Sequence, residues 1–124
     1  MKKEEAVIIG GIEYVPKSSV SLNAPAKSVK GMKYCVVRGY QSGVWAGYVK
    51  SQEGVKVIIV NARNLWYWKG AASLAQLTQE GIKNLTESKI TQEVPEFTML
   101  DANTVIACSE VAKTNIVGAP TWKA

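Results

Sequence analysis

The pattern of apolar and polar positions divides the chain into a short N-terminal hairpin, a polar connecting segment and a longer body. Residues 6–15, AVIIGGIEYV, place two β-branched runs around Gly10-Gly11. This pair suits the positive φ angles of a two-residue turn and predicts a β-hairpin. Residues 17–33 combine Ser, Lys and Pro without a sustained period and predict a linker or arm. We therefore expect a hairpin and lysine-rich arm over residues 1–33 and a single domain over residues 34–124.

The first half of the body has the two-residue alternation of an antiparallel sheet. Apolar segments separated by short turns predict a meander of about four strands: YCVVRGY from residue 34, VWAGYVK over 44–50, VKVIIV over 55–60 and LWYW over 65–68. The continuous apolar run of VKVIIV is typical of a central strand that is covered on both faces. Residues 61–64 are polar and interrupt this run before LWYW resumes it.

The second half of the body predicts one main helix from Ala71 to Glu80, with Gly81 in the left-handed position past its end. The inner stripe of this helix consists of Leu74, Ala75, Leu77 and Thr78. Residues 82–88 predict a loop, and KITQEV over 89–94 predicts a strand that ends at Pro95.

Residues 96–101, EFTMLD, predict an extended segment, and TVIACS over 104–109 predicts a further strand. Ser109 is a suitable cap for a short helix over Glu110–Ile116. The expected fold class is α+β: a mainly antiparallel sheet (meander) with one main helix and a short C-terminal helix, plus the N-terminal β-hairpin.

The composition is that of one ordinary globular domain, with 124 residues, 47% of them apolar and 20% charged. No apolar run approaches the roughly 18 residues of a membrane helix, so we expect no membrane association. The net charge is +5, but four lysines in residues 16–33 supply most of it: Lys17, Lys27, Lys30 and Lys33. A basic arm favours non-specific nucleic-acid binding over sequence-specific binding by the body, and nucleic acid is not the partner we expect first.

The scarcity of catalytic side chains predicts a protein that is not an enzyme. The chain has no His and a single Asp, Asp101, so it lacks the ordinary general base of neutral pH. Cys35 and Cys108 lie in apolar runs and predict buried free thiols. Two thiolates do not complete a four-ligand zinc site, and we expect no metal, no cofactor and no catalytic residue.

The densest candidate for binding chemistry is the segment NARNLWYWKGAASLAQL, residues 61–77. Trp66 and Trp68 are two apart on a predicted strand and therefore predict a paired indole surface. Arg63 offers a fork for a phosphate, and the small residues from Gly70 to Ser73 leave a helix start open to an anion. The predicted ligand-binding residues are Arg38, Tyr40, Arg63, Trp66, Trp68, Gly70 and Ser73. The same pattern also fits core tryptophans, a structural arginine and a close helix–sheet contact.

Three segments carry a resemblance to a known family: RNLWYWKGAASLAQLTQEGIKN, RGYQSGVWAGYVKSQEG and the terminal WK. The chain from about Tyr34 to Ala124 resembles a family of small uncharacterised proteins encoded by phages and prophages. It departs from the family pattern at Lys69, where an acid is usual. By analogy, the chain is similar in size and candidate residues to phage anti-defence proteins that sequester the nucleotide signals of Thoeris and CBASS immunity.

These observations together favour a phage-encoded, non-catalytic protein that sequesters a nucleotide-like signalling molecule in the bacterial host cytoplasm and so counters antiphage defence. We expect a homo-oligomer, a dimer or a multiple of one, because a detached hairpin must pack on another surface. One alternative is a protein–protein interaction module that inhibits a host or phage protein. A second alternative is non-specific nucleic-acid binding through the basic arm.

Overall fold

The computed structural model describes residues 24–124, so the predicted hairpin over 6–15 and the start of the predicted arm lie outside the described residues. Six strands and two helices follow in the order β1 (Lys33–Gly39), β2 (Gly43–Glu53), β3 (Lys56–Lys69), α1 (Leu74–Glu80), β4 (Asn84–Ile90), β5 (Val94–Met99), β6 (Ala102–Ala107) and α2 (Glu110–Val117). The strands form one antiparallel sheet in the order β4-β3-β2-β1-β6, with β5 also paired to β3. The predicted α+β fold class is confirmed.

Strand β3 is the longest element and organises the sheet. It pairs along one edge with β2, and along the other edge with β5 over its first half and with β4 over its second half. The predicted interruption at residues 61–64 is wrong, because the strand continues through it. Asn61 has a φ of 53°, a left-handed conformation that Asn tolerates better than most residues, and the β2–β3 register shifts beside it. The polar residues therefore mark a bulge within one strand.

The two faces of the sheet carry separate cores. On one face, both helices pack on a cluster that includes Tyr34, Leu65, Leu77 and Ile116. On the other face, side chains of β1, β3 and β5 form a second cluster around Val37, Ile59 and Met99, and Trp45 stacks on Phe97 at its margin. The helix-bearing side is called the helix face below, and the other side the open face.

The two predicted helices are present, with one changed boundary. Helix α1 begins at Leu74 rather than Ala71, because Ser73 is its N-cap and accepts a hydrogen bond from the Gln76 N–H. Gly81 ends the helix as predicted, whereas Ala75, which we expected to face inward, is exposed. Ser109 caps α2 by accepting from the Ala112 N–H, as the sequence predicted.

The predicted strand boundaries after α1 are wrong in two places. The expected loop at 82–88 is mostly strand β4, and the expected strand at 89–94 is divided between the end of β4 and the start of β5. Pro95 lies inside β5 rather than after a strand. A proline is tolerated there because β5 pairs with β3 alone among the described strands, which leaves its other side without a ladder to interrupt.

The described part of the predicted arm lies against the body. The Ala26 N–H donates to the Cys108 carbonyl and the Glu110 N–H donates to the Ala24 carbonyl. These bonds place residues 24–26 beside the start of α2. No helix among residues 24–124 is both long enough and apolar enough to cross a membrane.

Candidate functional site

The candidate site is an exposed pair of stacked tryptophans with a lysine beside it. The rings of Trp66 on β3 and Trp122 in the C-terminal tail have centroids 5.3 Å apart and planes inclined by 20°. Trp66 is 61% exposed and Trp122 is 43% exposed. Stacked indoles this accessible provide a flat apolar surface with free ring area, and we call the pair the tryptophan platform.

Strand alternation places the platform on the open face of the sheet. Leu65 on β3 and Ile90 on β4 are partners in the ladder, and both belong to the core on the helix face. Their neighbours Trp66 and Lys89 therefore point to the opposite side. Trp122 reaches the same side because the tail runs beside β4, where Thr121 bridges Ile90 in parallel and the Trp122 N–H donates to the Ile90 carbonyl at 2.9 Å.

Lys89 supplies positive charge to the platform. Its ammonium nitrogen lies 5.2 Å from the Trp66 ring centroid and 5.3 Å from the Trp122 ring centroid, within the range of a cation–π contact. Lys69, at the end of β3, is instead paired with Glu87 at 2.8 Å. Lys89 forms no salt bridge with any residue in the described range.

A small cleft adjoins Trp122 between β4 and the tail. Its volume is about 260 Å³, and its lining consists of Leu85, Thr86, Ser88, Pro120, Thr121 and Trp122. The lining combines apolar surface with three hydroxyl groups. The platform and this cleft share Trp122, so a ligand seated on the indoles can extend over the tail.

Arg63, a predicted ligand residue, is instead part of the protein interior. It is 4% exposed, and its guanidinium donates to the carbonyls of Ile116 at 2.7 Å, Thr91 at 2.9 Å and Ala119 at 3.0 Å. Weaker contacts reach the Ile90 and Val117 carbonyls and the Thr121 hydroxyl. Burial lowers the pKa of Arg63 from its usual value. With its donors committed to the protein, Arg63 holds the end of α2 and the tail against β3 and β4, and it does not reach a phosphate.

Three further predicted residues are also structural. Trp68 packs on the helix-face core rather than beside Trp66, because the β3–β4 register shifts on both sides of Tyr67 and breaks the two-residue period. Gly70 has a φ of 100°, and a Cβ there would lie 2.8 Å from the Asn84 nitrogen. The space beside Gly70 is thus filled by protein. The Ser73 hydroxyl accepts from the Gln76 N–H as the N-cap of a helix of seven residues.

Arg38 and Tyr40 are exposed but are separated from the platform. Tyr40 is 78% exposed in the β1–β2 turn. Arg38 is two residues after Val36 and four after Tyr34, so it lies on the helix face of β1, whereas the platform is on the open face. Strand β2 also lies between β1 and β3. Of the predicted residues, Trp66 alone lies in the tryptophan platform, where Trp122 and Lys89 accompany it. Trp122 was not among the predicted ligand-binding residues. Its sequence signal is the aromatic residue of the terminal WK, which also carries the family resemblance.

Comparison with known proteins identifies the family of the chain and does not assign it an activity. A family model described as a domain of unknown function, DUF6948, matches residues 32–116. No curated protein and no solved structure matches the chain. The matched range begins just before β1 and ends within α2, and it includes Trp66 and Lys89. Because this match covers more than half of its residues, the chain belongs to the DUF6948 family.

Proposed function

We propose that this protein is a non-catalytic binding protein that captures a nucleotide-like ligand by stacking its base on the tryptophan platform. The observation that carries the proposal is the exposed Trp66–Trp122 pair with the Lys89 ammonium beside both rings. Each base stacked on an aromatic side chain contributes about 1–3 kcal/mol, largely independent of base identity. A planar base matches the indoles, and the Lys89 ammonium beside both rings can pair with a phosphate of the same ligand.

The chemistry of the site supports capture rather than turnover. The sequence has no His, and its one Asp, Asp101, accepts hydrogen bonds from the Gln41 and Ser42 N–H groups of the β1–β2 turn. The platform itself offers indole faces, hydroxyls and an ammonium group, which bind and orient a ligand. None of these is an ordinary general base at neutral pH.

The resemblance to phage and prophage proteins suggests what such capture achieves. A protein that binds a nucleotide signal without degrading it lowers the free concentration of that signal. We therefore propose that it acts in the bacterial host cytoplasm to blunt a nucleotide-based antiphage defence. The two buried free thiols, Cys35 and Cys108, suit such a reducing compartment.

A second candidate function is docking to a host or phage protein. The observation that favours it is a further exposed aromatic side chain on the same strand, Tyr67, which is 46% exposed. Tryptophan and tyrosine are the residues most enriched among interface hot spots. This reading predicts a stoichiometric protein partner and no affinity for free nucleotides.

Isothermal titration of the purified protein with mononucleotides, cyclic dinucleotides and ADP-ribose derivatives distinguishes these functions. We expect at least one nucleotide to bind, and Trp66→Ala to weaken it tenfold or more, consistent with the loss of one stacked base. Tyr40→Ala is the matched control, because it removes an exposed aromatic side chain away from the platform. Equal affinities in the wild type and Trp66→Ala would contradict the site, and no binding by any nucleotide would favour a protein partner.

We also propose that the protein is a homo-oligomer, and strand β6 supports this. In the described part of the sheet β6 pairs with β1 alone, and its sequence ANTVIA has neither a charge nor a proline. The opposite edge has Pro95 and Glu96, the kind of residues that normally protect an edge strand. Light scattering should show a dimer or a multiple of one that Asn103→Lys on β6 weakens and Thr98→Lys on β5 does not. A wild-type monomer at micromolar concentration would contradict this.

A further inference from the structure

We propose that the C-terminal tail, residues 119–124, is a docking clasp whose attachment controls the tryptophan platform, and that Arg63 is the positioning residue that holds it. The inference rests on the proposed function for its effect on ligand affinity. The contacts that hold the clasp form within the protein and need no ligand. Its consequence is that nucleotide binding and tail docking are thermodynamically linked.

The platform depends on the clasp because half of it comes from the tail. Trp122 follows the end of α2 by five residues and belongs to no helix or strand. Two contacts place it beside Trp66: the Thr121–Ile90 bridge and the bond from the Trp122 N–H to the Ile90 carbonyl. When the tail leaves β4, Trp66 remains as a single indole and the cleft beside Trp122 loses one wall.

Arg63 is the largest polar anchor of the clasp. Its guanidinium reaches three segments at once: the end of α2 through Ile116, the tail through Ala119 and Thr121, and β4 through Ile90. A buried cation is costly unless hydrogen bonds replace its water. Carbonyls at a helix C-terminus carry partial negative charge and favour such a cation. Two of those acceptors, the Ala119 carbonyl and the Thr121 hydroxyl, belong to the tail, so the buried Arg63 stabilises the docked tail.

The linkage follows from mass action. If only the docked form presents both indoles, the apparent dissociation constant equals the intrinsic one divided by the docked fraction. A variant that docks one tenth of the time therefore binds about tenfold more weakly. A ligand that bridges Trp66 and Trp122 in turn increases the docked fraction.

Amide hydrogen exchange of the ligand-free protein tests the clasp directly. The Trp122 amide is protected by its bond to the Ile90 carbonyl, and the Val36 amide in the central strand β1 reports global opening. We expect Arg63→Lys to accelerate exchange at Trp122 at least tenfold, and we expect Trp122 to exchange faster than Val36 in both proteins, because the tail leaves β4 without unfolding of the sheet. Arg38→Lys is the matched control and should change neither. A Trp122 amide that exchanges no faster than in wild type would overturn the clasp.

A second variant keeps the test decisive if Arg63→Lys does not fold. Pro120 is exposed within the tail, so Pro120→Gly leaves the body intact and raises the conformational entropy of the undocked tail. Exchange at Trp122 should then rise severalfold, and an unchanged rate would count against the clasp. Titration of both variants with AMP separates the two claims. If the clasp opens but neither wild type nor variant binds any nucleotide, the proposed function fails and the clasp stands.

Discussion

Replacement of Arg63 by methionine should destabilise the folded protein far more than the same replacement at Arg38. The two arginines are the only ones in the chain, and their environments differ completely. Arg63 is buried and donates to three carbonyls within 3.0 Å, whereas Arg38 is exposed on β1. Methionine occupies most of the volume of the arginine stem, so the Arg63 variant isolates the loss of the guanidinium.

The expected magnitude follows from the acceptors that would be left behind. Leaving a buried polar group without its partner costs about 1–3 kcal/mol. Removing the guanidinium leaves the Thr91 and Ala119 carbonyls without this donor, whereas the Ile116 carbonyl keeps its bond from the Ala119 N–H. It also relieves the cost of burying a charge, which offsets part of this loss. We therefore expect a net decrease of about 2–4 kcal/mol in the free energy of unfolding.

Thermal and urea denaturation followed by circular dichroism measure this difference. For a domain of this size about 1 kcal/mol corresponds to about 4 °C in Tm, so Arg63→Met should lower Tm by roughly 8–16 °C. Arg38→Met should stay within about 0.5 kcal/mol of wild type, as surface substitutions usually do. If the two variants lost similar stability, or if Arg63→Met lost less than about 1 kcal/mol, Arg63 would not be the structural anchor described above.

Three further predictions concern other parts of the fold. Burial raises the pKa of Cys35 and raises that of Cys108 to about 12. Both thiols should therefore react with DTNB at pH 8 only after the protein unfolds. Rapid reaction of the native protein would contradict their burial. Hydrogen bonds from the β1–β2 turn hold the pKa of Asp101 below its usual range. The stabilisation from its carboxylate is therefore complete above the unfolded-state pKa and is lost as pH falls through the lower folded-state pKa. Asp101→Asn should flatten this acid dependence in urea titrations, and an unchanged pH profile would count against it. A Cβ at Gly47 would lie 2.6 Å from the Ile59 Cγ2 atom. Gly47→Ala should therefore lower the free energy of unfolding by about 1–3 kcal/mol in denaturation experiments. An unchanged free energy of unfolding would show that β2 and β3 can separate to admit the methyl group.

Local patterns in the sequence were sufficient for β1, β2 and α2. The apolar run from Tyr34, the alternation over 44–50 and the cap at Ser109 act within a few residues, and the structure has all three elements close to where they were expected. Strand β4 was missed because its residues, NLTESKI, are largely polar. Its pairing with β3 makes it a strand, and that contact is not visible in local hydrophobic alternation.

The candidate site was only partly predictable for a related reason. Trp66 was predicted as a candidate and is exposed, but its stacking partner is 56 residues away in the chain and is not Trp68. The guanidinium fork made Arg63 a predicted phosphate contact, yet residue type alone does not distinguish a ligand contact from a buried anchor. Trp122 reaches Trp66 only through the parallel bridge between Thr121 and Ile90, a tertiary contact without a local signal.

The indole N–H resonances of the four tryptophans test the central claim most directly. The chain carries Trp45, Trp66, Trp68 and Trp122, and they occupy distinct environments. Titration of ¹⁵N-labelled protein with the nucleotide panel should shift the Trp66 and Trp122 resonances together, with one dissociation constant. The resonances of Trp45, whose indole N–H donates to the Ser42 carbonyl, and of core-packed Trp68 should stay in place. Shifts confined to Trp45 or Trp68, or no shift with any nucleotide, would contradict the proposal that the tryptophan platform holds a nucleotide-like ligand.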